Sequence, residues 1–410
     1  MEYVTLNKLY YKDNSEYERI YNERFNSEYA HHIDFKIGDN SAFFLVTPYI
    51  HNMMIDIHKI DKRVYALCEE LPRKAIKQFS LRCLIDEIIL TNNIEGVHST
   101  RREISNVIEN LGKDDKNARF KGLVQKYVTL RKGEEISIET CEDIRKIYDD
   151  LVLPEIKNDE PDNIPDGIIF RKDSVSVQSR TQKEIHRGLY PESKIISAME
   201  RALKFLNDEN EDLLFRTSVF HYLLGYIHPF YDGNGRLNRF ISSYMIANEL
   251  EPVLSYRLSY TIRENLTKYY DAFRICNSPQ NKGDLTPFVE VFIEIILEAI
   301  NALAEALEKR VFLLNRYTNQ IPYLPGTGDE TCCYLYDYLI QAALFSEHGI
   351  STKELLSCLN KSRETLKKKL RIISDAKLLK VERIKQEKYY GIDLDALDEY
   401  IEWKEQQTEE

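Results

Sequence analysis

The sequence predicts a mainly α-helical protein, a helical bundle with one short β-hairpin, followed by a small C-terminal domain of helices and strands. Three observations carry this. Apolar residues at helical spacing fill most of the chain up to about residue 318. The run GIIFRKDSVSVQS (167–179) alternates apolar and polar residues, and it is the one clear β signal in the first 320 positions. The stretch NQIPYLPGTGDE (319–330) holds two prolines and two glycines, which makes it the best linker in the chain.

At 410 residues the chain has room for two or three domains. A net charge of -11 argues against a protein that coats nucleic acid generally. Seven scattered cysteines, odd in number and without a CxxC pair, suit reduced thiols and offer neither a zinc site nor a disulfide framework. The polar N-terminus MEYVTLNKLYYKDNSEYER is no secretory signal. No apolar run reaches the roughly 18 to 20 residues that span a bilayer. A cytoplasmic protein without a membrane partner is expected.

Residues 1–40 are rich in tyrosine and charge with weak periodicity, and read as a peripheral segment. A mostly helical region is expected from near Ser41 through Met53–Leu71. From Arg73 to Gly96, residues Ile76, Phe79, Leu84, Ile88, Ile89 and Ile94 approximate a helical stripe. That helix ends TNNIEG, with Gly96 as its C-cap. Thr91 and Glu95 are four apart and share a face. A glutamate at a helix C-terminus opposes the helix dipole, so a cationic partner elsewhere in the fold is expected. Thr100 and Glu103 then form a capping-box pattern. Further helices are expected at 103–112, 117–131 and 140–152, the last capped by Ser137 or Thr140. An acidic, proline-bearing loop is expected between Pro154 and Pro165. Helices resume at Ser193–Asn207 and continue through Leu213–Ile227, Leu237–Leu250 and Tyr256–Cys276. A long one follows from Leu285 to Leu314, with Thr286 and Pro287 as start signals.

Beyond the linker, CCYLYDYLIQAALF reads as a helix. The following residues read helix, turn, helix, strand, turn, strand, the layout of a winged helix-turn-helix. The segment Ser362–Ile372 carries Arg363, Lys367, Lys368, Lys369 and Arg371. Such a face could meet DNA phosphates, but the acidic tail Asp393–Glu410 and the overall charge work against DNA and favour a solvated basic face on a small interaction domain. The expected domains are an N-terminal helical region (1–110), a catalytic domain (111–318), the linker (319–330) and the winged helix-turn-helix (331–410).

The chemistry is concentrated in His228–Arg239, HPFYDGNGRLNR, set between two apolar helical runs. Gly233 and Gly235 permit backbone shapes that a side chain forbids. The following helix opens with unpaired N–H groups, a natural anion site. Arg236 and Arg239 sit in its first turns. Asp232 offers a hard oxygen for magnesium, and His228 a base near neutral pH. Together they imply chemistry at a phosphate ester, most simply a nucleotide. Neither GxxxxGK[ST] nor a kinase glycine-rich loop occurs, so the chain is not a P-loop NTPase or a eukaryotic-type kinase.

HPFYDGNGRLNR resembles the signature HxFx(D/E)GNGRxxR of the Fic family. TNNIEG is similar to that family's inhibitory motif (S/T)xxxE(G/N). FRKDSVSV resembles the flap (about 167–180) that holds target proteins, and YYDAFRICN with DLTPF resembles the region that closes the nucleotide pocket. The C-terminal winged helix is also a frequent appendage in bacterial members. The resemblance implies a Fic-type helical bundle that transfers AMP from ATP to a Tyr, Thr or Ser hydroxyl of a target protein and of itself. His228 would be the base and Asp232 the Mg²⁺ ligand. Gly233, Asn234 and Gly235 would line the anion hole, with Arg236 and Arg239 on the phosphates. Tyr270 and Asn277 would contact adenosine, and Val177 would cover the base. Glu95, with Thr91 and Gly96 in the inhibitory helix (about 73–96), would pair with Arg239 and hold the enzyme off. In some members this glutamate also helps remove AMP. A homodimer, and DNA bound through the winged helix, are further partners that stay open. Two alternatives stay open: Fic-type transfer of another phosphate-containing group, and a DNA-binding regulator whose Fic domain senses nucleotide.

Overall fold

The computed structural model describes residues 3–12, 14–111, 119–178, 184–384 and 386–409. They form a mainly helical fold with three small antiparallel sheets. No helix among them is long and apolar enough to cross a membrane. The chain divides into two compact units, one of residues 1–62 and 84–302, the other of 63–83 and 303–410.

The first unit is built around the helices Leu213–Ile227 and Asn234–Glu249. In the former only Arg216 and Gly225 escape full burial. A helix apolar on all sides belongs in the middle of a bundle. Glu192–Leu206 packs against Leu213–Ile227, while Lys121–Arg131 and Cys141–Leu151 pack against Asn234–Glu249. The helix Arg101–Glu109 has the expected capping box of Thr100 and Glu103. In Cys141–Leu151 the N-cap is Thr140, with Asp143 closing the box.

Three expectations change. The N-terminal segment is no periphery: Leu6, Leu9 and Tyr17 are buried, on helices Leu6–Lys12 and Asn14–Phe25. The chain near Ser41 is not helical; it is the second strand of a hairpin, Ala30–Ile37 with Asn40–Leu45. Ile33, Phe35 and Ile37 point inward and Asp34 and Lys36 outward, and Gly38 turns the chain at φ 58°. The strand is tied to the bundle by Phe43 N–H to Gly283 O (3.1 Å) and Leu285 N–H to Phe43 O (2.7 Å). The region Pro154–Pro165 is largely ordered as the helix Leu153–Asp159 and a 3₁₀ turn, Pro161–Asn163. Pro154 lies at the helix start, where its missing N–H costs nothing.

The hairpin over the site pairs Ser176–Gln178 with Glu184–Arg187, Val177 facing His186. The end of the Gln-Ser-Arg-Thr run after Val177, within 179–183, lies outside the described residues, as does the Val177 side chain.

In the second unit the helix Glu330–Phe345 is capped by Asp329. Helices Thr352–Leu359 and Arg363–Asp375 follow, with a sheet in the order Ile350–Ser351, Glu387–Ile392, Leu379–Ile384. Arg363, Lys367, Lys368 and Arg371 are exposed, whereas Lys369 pairs with Asp329 at 2.7 Å.

Candidate active site

The helix Leu213–Ile227 ends at His228, whose backbone is left-handed (φ 51°, ψ 63°) and whose N–H bonds Leu224 O at 2.9 Å. Few residues other than glycine adopt this conformation, and it swings the chain off the helix axis. Phe230 then anchors the loop. It is fully buried, stacked on Tyr148 with ring centroids 3.6 Å apart and edge-on to Phe170 at 5.5 Å. The Asn234 side chain closes the loop on itself. Its Nδ2 donates to Phe230 O (2.8 Å) and its Oδ1 accepts from Phe230 N–H (3.0 Å). Both ends of this amide are thus engaged in holding the loop.

Gly233 caps the helix Asn234–Glu249 at φ 82°, and a Cβ there would lie 3.0 Å from Val152. Conformation and space both demand glycine. At Gly235 the close neighbour is a side chain: a Cβ there would fall 2.0 Å from Glu95 Oε1 and displace the carboxylate. The Glu95 carboxylate therefore rests on the first turn of this helix, where N–H groups lack internal partners and the dipole favours negative charge. The helix Arg73–Ile94 brings it there, and Gly96 ends that helix at φ 77°.

Arg239 is the cation that Glu95 called for. It is 98% buried by its side chain, with an Nη2–Oε1 distance of 2.7 Å to Glu95. Its Nε donates to Thr91 Oγ1 (2.8 Å) and Nη2 also to Thr91 O (3.0 Å). Three acceptors from one turn of one helix fix the guanidinium plane. Burial is the largest influence and opposes the charge, but Glu95, Tyr269 and Tyr270 together hold the Arg239 pKa above its ordinary value.

Arg236 is equally buried, with a different set of partners. It donates to Glu155 Oε2 at 2.7 Å and to Asp232 Oδ2 at 3.3 Å. Asp232 stays part-exposed, so one face remains open. Burial raises the Glu155 pKa, with Arg236 pulling the other way. His228 is partly buried, and lost hydration lowers its pKa to about 4, helped by His186 and Arg171 and opposed by Glu95. A neutral imidazole can accept a proton.

The looser candidates fall around this centre. Tyr270 is exposed on the helix Leu266–Cys276, within electrostatic reach of Arg239. Asn277 caps that helix and accepts from Tyr222 O–H at 2.7 Å. Sequence reasoning missed Glu155, which carried no signal in an acidic stretch, and the roles of Arg171 and Glu87. Arg171 lies inside the quoted FRKDSVSV, and Glu87 lies four residues before Thr91, a spacing that could have found it.

Residues 139–246 match the Fic/DOC family. The matched segment includes His228–Arg239 and excludes Thr91–Gly96. The protein adenylyltransferases Fic of Drosophila sechellia and Drosophila melanogaster are 30% identical over 135 residues, which is 32% of this chain and 24% of theirs. The chain thus matches about a quarter of the length of these relatives. Among solved structures, a Fic family protein from Desulfovibrio desulfuricans G20 superposes with a TM-score of 0.52 at 22% identity, covering 85% of this chain and 97% of that one. Residues 139–246 are therefore similar to the Fic/DOC family, and the fold of the chain to that of a Fic family protein.

Proposed function

We propose that this chain is a protein adenylyltransferase held inactive by Glu95. The observation that carries the reading is the seat of the Glu95 carboxylate, on the first turn of Asn234–Glu249 and bonded to Arg239. The chain's own anion occupies the position where a helix N-terminus and a guanidinium would hold a phosphate.

In the reaction, His228 takes the proton of a target Tyr, Thr or Ser hydroxyl. The oxygen attacks the α-phosphorus of ATP, a P–O bond forms, and the bond to pyrophosphate breaks. A positioned base contributes about 10²- to 10⁴-fold. Backbone N–H groups of residues 233–235 stabilise the charge gathering on the α-phosphate. Arg236 and Arg239 hold the phosphate chain, Arg239 only once Glu95 has left it. Tyr270 and Asn277 line the adenosine side. A magnesium ion arriving on substrate phosphates needs about one or two protein carboxylates. The part-exposed Asp232 fits that need, with the bound ion neutralising phosphate charge.

Incubating the chain with α-labelled ATP tests this reading. Little label is expected in the natural chain, strong self-labelling in Glu95→Gly, and none in the Glu95→Gly, His228→Ala double variant. Transfer that persists without His228 would contradict the base assignment.

A further inference from the structure

Arg171 lies at the start of the flap, and its side chain is fully buried. Among the described residues no carboxylate pairs with it. An isolated buried charge is costly, by several kcal/mol before hydrogen bonding. All of its described hydrogen bonds run to backbone carbonyls. Nε donates to His228 O at 3.0 Å, Nη2 to Leu189 O at 2.8 Å, and Nη1 to Asp173 O. These carbonyls belong to three segments: the catalytic loop, the flap's exit and its entry. The backbone adds Arg171 N–H to Pro229 O (3.3 Å) and Leu189 N–H to Ile227 O (3.1 Å).

Gly188 shows how close the segments run. A Cβ there would lie 2.5 Å from Arg171 Nη2 and 3.0 Å from His228 Cβ. The flap's exit thus passes directly against both side chains.

We propose that Arg171 is a positioning residue that couples the flap to His228, so that one guanidinium sets both the strand presenting the target and the base that deprotonates it. This rests on the reading of His228 as the base. The left-handed backbone at His228 is a conformation that surrounding structure must impose. The Nε bond to its carbonyl is the described side-chain contact that does so. A second effect follows from charge. Arg171 and His186 oppose protonation of His228, and Glu95 favours it. Removing the guanidinium therefore loosens the base and makes it more basic.

The test compares Arg171→Lys and Arg171→Met in the full chain carrying Glu95→Gly. The His228 titration is followed by NMR of ¹³C-histidine-labelled protein and assigned with His228→Gln. ATP affinity and self-labelling are measured alongside. Arg171→Met is expected to raise the His228 midpoint by about one unit and to slow labelling about 100-fold. ATP affinity should change less than about threefold. Arg171→Lys, which keeps a charge but loses the fork, should leave the midpoint near the parent's and recover part of the rate. A folded Arg171→Met with the parent's midpoint and rate would overturn the proposal. Should that variant fail to fold, Arg171→Lys decides: slowed labelling at an unchanged midpoint supports the coupling, and the parent's rate refutes it. If Glu95→Gly itself transfers no AMP, the adenylyltransferase reading fails. The coupling is then judged by the His228 midpoint and hydrogen exchange at 184–189, which must both move in Arg171→Met for it to stand.

Discussion

His228 combines a left-handed backbone with an imidazole that burial keeps neutral. Its folded pKa, about 4, lies below the usual value of about 6.5. The unfolded chain therefore binds the proton first as pH falls. The associated stability is present above about pH 6.5 and drains away toward 4. His221, buried between Ser242 and Tyr269 and also lowered by burial, acts in the same sense. In Glu95→Gly, which also removes a charge favouring the imidazolium, the acid limb of kcat/KM for ATP should lie well below pH 6.5. An inflection at the ordinary histidine value would contradict the burial argument. Glu155→Ala should destabilise the fold by about 3 kcal/mol, because it leaves Arg236 as a buried cation with only Asp232 beside it; urea unfolding measures this, and a loss under about 0.5 kcal/mol would show the pair to be dispensable. The residues of His228–Arg239 were legible because their chemistry is packed into twelve positions. Glu155 and Arg171 were not, since each acts through a partner 81 or 57 positions away, a relation no local pattern encodes.

The helix Arg73–Ile94 presents Glu87 and Thr91 four residues apart, and Glu95 follows directly after its last residue. The two lower residues engage Arg239. Glu87, fully buried, accepts from Ser259 N–H (2.9 Å) and Ser259 Oγ, with Tyr127 O–H at 3.5 Å. Burial raises its pKa to about 7, against the pull of the Ser259 hydrogen bonds, Arg239 and Arg257. A raised carboxyl favours the protonated folded state, so this stability is full below about pH 4.5 and is lost as pH rises through 7. Glu87→Gln should remove that dependence. Its stability relative to the natural chain is expected to improve between pH 6 and pH 8 in paired unfolding curves; an unchanged difference would dismiss the titration. Thr91→Val should loosen inhibition by less than Glu95→Gly does, since it deletes one of the contacts to Arg239 and spares the ion pair. Elements whose rules are local were legible, such as the Thr100 and Thr140 caps and Gly96. The Ala30–Leu45 hairpin also carried its signal, alternation at Ile33, Phe35 and Ile37 around a glycine turn, but the flanking tyrosine- and charge-rich sequence obscured it. At Pro154 a helix start looked like a loop because proline serves both.

On the scale of the whole molecule, the net charge of -11 and the exposed basic residues of Arg363–Asp375 pull in opposite directions. Glu364 and Asp375 on the same helix dilute Arg363, Lys367, Lys368 and Arg371. Duplex DNA should therefore bind the full chain weakly. Retardation at about 50 mM salt should be lost by about 200 mM. It should also be lost in Lys367→Ala, Lys368→Ala; equal retardation by that variant would place the contact elsewhere. Within the first unit, Glu95 is bonded to Arg239, the proposed partner of an incoming phosphate. A competitor worth about 2 kcal/mol suppresses productive binding by about 30-fold. The direct measurement is the initial rate of label incorporation from α-labelled ATP by the natural chain and by Glu95→Gly, under identical conditions. A rise of about 30-fold is expected in the variant, abolished by adding His228→Ala; equal rates in the natural chain and Glu95→Gly would show that Glu95 does not inhibit.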